Sequence, residues 1–136
     1  MTNSKLIFLR VLGVAHIIVA IILLPGNLFL SVFSIPIVLP AQIWLTILGI
    51  RLWRPNTKLQ TALRRTHYVL APFAILLVIF GFLAIRNANR SAETGGGLLG
   101  AFGLIPITMG FFAGTLSLVS LYVAYSINFE KLGETH

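Results

Sequence analysis

Three histidines, three carboxylates and no cysteine are all that this 136-residue chain offers for binding a metal or moving a proton near neutral pH. His16 lies about ten residues into an apolar run that begins at Leu6, which puts it ~15 Å deep by helical rise, near the middle of a bilayer. An ionisable group at that depth is a functional candidate, and two chemistries are open to it. It is either a neutral imidazole hydrogen-bonded to a neighbouring helix or a ligand to a metal, which makes it the one candidate metal ligand of the chain.

His67 would be the second ligand, because paired histidines on two helices of a small bundle are how membrane cytochromes hold haem b. Its position argues against the pairing. It follows Arg64 and Arg65, so a third span starting beside it leaves it at the membrane surface, ~10–15 Å shallower than His16. One iron reaches both only if the third helix begins near Leu59 and sinks its arginines. The expectation is therefore an interfacial His67 and no cofactor, with haem b or a quinone at His16 as the alternative.

The carboxylates exclude further classes. Glu93, Glu130 and Glu134 fall in a polar loop or in the tail, so no apolar run carries an acid. Cation-coupled transport and paired-carboxylate hydrolysis both need such groups. The lack of cysteine removes disulfides, thiol catalysis and thiolate metal sites. No zinc spacing or Ser–His–Asp set occurs, and the Gly95–Gly97 triplet lacks the Lys-Ser/Thr that would make it a phosphate loop.

The elements that must position these residues are membrane helices. The chain is 57% hydrophobic and 10% charged with mean hydropathy +0.96, far from the soluble norm of roughly 25% charged. It reads as one all-α, integral membrane four-helix bundle over residues 1–136, with spans near 6–24, 28–53, 67–86 and 98–127. A signal peptide competes for the first run, but no small-x-small cleavage site precedes Pro25–Gly26, so an uncleaved span is expected. Pro25, Gly26 and Asn27 form a turn. Pro36 and Pro40 in the second run, and Pro106 in the fourth, predict helices that are kinked or preceded by short outer-face segments. A proline-divided second and fourth run, with a histidine in the first and third, hints at two related hairpins.

Orientation follows from the cations. Lys5, Arg10, Lys131 and the five of the loop Arg51, Arg54, Lys58, Arg64 and Arg65 lie on one side, and only Arg86 and Arg90 lie on the other. The positive-inside rule makes both termini and this loop cytoplasmic. The formal charge of +7 is then explained by topology and by anionic lipid headgroups, without nucleic acid. The basic loop is expected to dock those headgroups or an acidic partner.

The fourth run carries a seam of mostly small residues at helical spacing: Gly96, Gly100, Gly103, Ile107, Gly110, Gly114, Ser117, Leu121 and Ala124. Small residues let helix backbones approach, and in lipid that packing drives association. Gly103, Gly110, Gly114 and Ser117 are the expected packing residues, either within the chain or between chains.

Three functions stay open. The first is a chain without catalysis of its own, an accessory or structural subunit or homo-oligomeric scaffold of a membrane assembly. The second is a haem- or quinone-binding redox subunit using His16. The third is a small channel or transporter for a neutral or apolar solute, lined by Gln42, Thr46, Thr108, Thr115 and Ser117. Brevity and hydropathy point to a multi-pass protein of a prokaryotic inner membrane.

Overall fold

The computed structural model describes residues 2–24, 38–90 and 97–129, and these are all-helical. The helices are α1 (Thr2–Ile22), α2 (Val38–Arg51), α3 (Thr57–Arg90) and α4 (Gly97–Ser126). Among the described residues, three stretches are long and apolar enough to cross a membrane: Asn3–Ile22, Thr57–Arg90 and Gly103–Ser126. The expected second span lies partly outside the described residues, and its described part, α2, has 14 residues. Large apolar side chains on the outer faces, such as Val69, Ile75, Leu76 and Phe80 of α3, are more than half exposed, as lipid contact requires.

Two antiparallel hairpins make up the fold. In the first, Gly13 of α1 meets Gly49 of α2, and a methyl group built on Gly13 would stand 2.5 Å from the Gly49 carbonyl oxygen. Seven residues further along α1 and seven earlier on α2, Gln42 donates to the Ala20 carbonyl. In the second hairpin the same stepping extends over four levels. Gly81 meets Gly103, Ala74 meets Gly110, His67 meets Ser117 and Gln60 meets Ala124. Each level moves seven residues along α3 and seven back along α4, the repeat that keeps one seam facing its partner over several turns.

The seam on α4 thus packs within the chain. A methyl on Gly103 would lie 2.6 Å from Ile85 Cγ1 and 2.8 Å from the Gly81 oxygen, and one on Gly110 would lie 2.5 Å from the Ala74 oxygen. Gly114 is different: its nearest neighbour would be Ala74 Cβ at 3.6 Å, an ordinary contact. Between the hairpins the filling is bulky. Leu9, Leu45, Leu48, Leu52 and Leu63 are almost wholly buried there, with Phe129 just beyond α4.

Two helices differ in extent from the expected spans. The third helix begins at Thr57, ten residues before the expected span, which places Pro72 in its interior. The start has a local cause: Asn56 Oδ1 accepts the backbone N–H of Leu59 at 2.7 Å, and the Asn56 carbonyl accepts that of Gln60 at 3.1 Å. That is an N-cap directly after Pro55. The fourth helix runs from Gly97 through Pro106 to Ser126 as one element, without a separate segment before the proline.

Candidate functional site: a buried imidazole pair

Because α3 starts early, His67 enters about ten residues along it, ~15 Å from the helix start, at the level of His16. Both histidines are fully buried, and their Nε2 atoms stand 2.9 Å apart with the rings edge-on. The two histidines therefore share one level, and the expected difference in depth between them does not exist. Arg64 and Arg65 lie within one turn of His67 on the helix.

Hydrogen-bond accounting assigns the protons of two neutral rings. His16 Nδ1 lies 2.8 Å from the Leu12 carbonyl, which can only accept, so that nitrogen carries the hydrogen and His16 Nε2 offers a lone pair. His67 Nε2 must then donate, leaving its Nδ1 as an acceptor 3.2 Å from Ser117 Oγ. The Ser117 hydroxyl also lies 2.8 Å from the Ala113 carbonyl, so its one hydrogen has two acceptors within reach. Ser120 Oγ is 3.5 Å from His16 Nε2. The cluster takes α1 from one hairpin and α3 and α4 from the other, and its polar nitrogens are engaged internally.

This arrangement does not fit one haem iron held between His16 and His67. An iron bound by two imidazoles holds their nitrogens ~4 Å apart, from metal–nitrogen bonds of ~2.0 Å, with the macrocycle between them. Here the separation is 2.9 Å and the nitrogens share a hydrogen bond. Among the described residues no group of three histidine, cysteine or acidic side chains gathers into a metal site.

The residues grouped for a solute path do not converge. Gln42 is buried and bonded to Ala20 of α1, and Thr46 Oγ1 donates to the Gln42 carbonyl at 3.0 Å. Thr108 and Thr115 are exposed, each bonded to its own helix four residues back. Ser117 alone of the five touches the histidines.

The basic loop also divides. Arg64 turns inward, donating from Nε and Nη2 to the Ala124 carbonyl at 3.0 and 2.6 Å while stacking 4.4 Å over Tyr125. Gln60 Nε2 donates to the Ala124 and Ile127 carbonyls. These two side chains serve the last carbonyls of α4, which have no partners within the helix. Arg51, Arg54, Lys58 and Arg65 stay exposed.

Sequence reasoning overlooked Ser120, Gln60 and the Trp44 Nε1 hydrogen bond to Thr66 Oγ1 at 2.8 Å, which joins the hairpins at their surface. Ser120 follows Ser117 by three residues on one helical face, a visible signal; Gln60 carries none. No protein-family model matches the chain, and comparison with curated proteins and with solved structures finds no match.

Proposed function

We propose that this chain is a non-catalytic membrane protein, an accessory or structural subunit or an oligomeric scaffold of a membrane assembly. One observation supports this above the others: the two side chains best suited to chemistry, His16 and His67, are engaged with each other and with Leu12 and Ser117, away from solvent. Their role is to tie the two hairpins together. With Gly103 and Gly110 occupied by α3, association with other chains uses the lipid-facing surfaces of the helices.

In this reading the protein lies in a prokaryotic inner membrane with both termini and the basic loop in the cytoplasm and a bend at Pro106. Its lack of cysteine makes the topology simple to test. A thiol introduced by Thr57→Cys should react with impermeant reagent only from the cytoplasmic side, and one introduced by Asn89→Cys only from the outside. The reverse pattern would reject the orientation.

The assembly claim is tested by native mass spectrometry after detergent-free extraction of source membranes. The chain should emerge with further copies or a stoichiometric partner, and should still do so as the His16→Leu/His67→Leu double variant. A bare monomer at low protein-to-lipid ratio would overturn it. The facing Nε2 atoms favour one second reading, a cofactor held at His16 after the hairpins part. It predicts a Soret band or a copurified quinone that His16→Ala removes, and a colourless, quinone-free preparation ends it.

A further inference from the structure

At the basic end of the molecule, α1, the end of α2 and the start of α3 border an open cavity of about 740 Å³, inside the ~300–1,000 Å³ range of small-molecule sites. Its walls are of two kinds. Arg51, Arg54 and Lys58 contribute three cations and Trp53 an aromatic face, whereas Ile17 and Ile50 form an apolar side. Among the described residues no carboxylate lines it. Arg10 lies 5.8 Å from the Trp53 ring and adds a fourth positive charge at the rim.

We infer that this cavity binds one anionic glycerophospholipid, its phosphate among Arg51, Arg54 and Lys58 and an acyl chain along Ile17 and Ile50. The inference rests on the chain's residence in a bilayer and not on the assembly proposed above. Three observations carry it. The cavity's walls combine cations with apolar side chains, the two chemistries a lipid presents where headgroup meets hydrocarbon. Ile50 is 60% exposed on the side where a lipid tail would lie. The division of the basic loop also selects these cations: Arg64 is committed to the end of α4, while the cavity's three remain exposed around one space. Basic clefts between membrane helices are known headgroup sites, and Trp53 suits interfacial depth.

The test is native mass spectrometry of the full chain in neutral micelles, titrated with phosphatidylglycerol or with phosphatidylcholine of the same acyl chains. Phosphatidylglycerol should bind preferentially at one lipid per chain. The Arg51→Gln/Arg54→Gln/Lys58→Gln variant should weaken that binding on the order of a hundredfold, from the contribution expected for three surface cations. An Arg65→Gln/Arg86→Gln/Arg90→Gln variant removes equal charge elsewhere and should shift it by no more than about threefold. Equal losses in the two variants, or no preference over phosphatidylcholine, would overturn the site. sn-Glycerol 3-phosphate should not displace the lipid; full displacement would mean a soluble phosphoester ligand and would also overturn it. If the triple variant loses helicity, Arg54→Gln alone carries the test, with about a fivefold loss expected.

Discussion

The two contacts that organise this molecule are built from opposite materials. At the glycine levels of the α3–α4 seam there is no room for side chains: a methyl built on Gly81 would stand 2.5 Å from the Gly103 oxygen, and one on Gly110, one heptad on, 2.5 Å from the Ala74 oxygen. Between the hairpins the space is filled by large leucines around a hydrogen-bonded imidazole pair. The seam gains dispersion and close approach over several turns, which is how helices associate when lipid supplies no hydrophobic driving force. The imidazole pair contributes little area but has one geometry that satisfies its donors and acceptors. It fixes which level of one hairpin meets which level of the other.

Breaking the seam should have the largest effect. Gly81→Leu or Gly103→Leu forces a side chain into backbone, and the overpacking should cost ~3 kcal/mol or more. Reversible unfolding in mixed micelles, followed by helical circular dichroism, measures it. Gly114→Ala, one turn from Gly110 but with room for a methyl, should stay within ~0.5 kcal/mol. Equal losses at Gly103 and Gly114 would refute the assigned register.

Breaking the imidazole pair should come second. His67→Ala leaves His16 Nε2 buried without its donor and should cost ~1–3 kcal/mol. The His16→Leu/His67→Leu double variant removes both partners while keeping apolar volume, so it should be clearly more stable than the sum of the single leucine variants. The coupling energy of that double-mutant cycle should fall near ~1 kcal/mol, as for other hydrogen bonds between membrane helices. Additive losses would show that the rings do not depend on each other.

The helix ends should matter least, and they sharpen the comparison because they set the level of His67. Asn56→Ala removes the cap on α3 and should cost ~1 kcal/mol. Arg64→Gln removes the charged donor at the Ala124 carbonyl and should cost ~0.5–1 kcal/mol. Amide hydrogen exchange should speed up at the start of α3 in the first variant and at the end of α4 in the second, with the seam amides unchanged.

Individual positions stand out plainly in this sequence, but their relations to one another are less legible. His16 stands out because a lone imidazole in an apolar run is conspicuous. His67 is harder to place, because Arg64 and Arg65 read as a membrane boundary, although Asn56 after Pro55 announces an earlier helix start. Once that start is used, Leu59, Leu63 and His67 fall at four-residue steps on one buried face. The small residues of α4 were visible at helical spacing, whereas their partners on α3, Ala74 and Gly81, are unremarkable among so many apolar neighbours. Nothing local told Arg64 from Arg65: one turns to the end of α4 and the other to solvent because their directions on α3 differ by about 100°.

Composition by itself determined that the chain is helical and apolar enough for a membrane, since burial of unpaired backbone polar groups in lipid leaves few alternatives; that three helices among the described residues are long enough to cross one is read from the structure. The sequence also determined that the apolar runs hold histidines but no acids. Only the tertiary structure decided that the two histidines meet and that the glycine seam closes within the chain. Only it separated three cations around a cavity from one that caps a helix. The reason is geometric: a helix's own pattern says which face is small or polar, whereas the level at which two helices cross depends on where each one starts, and a single asparagine cap moves that level by ten residues.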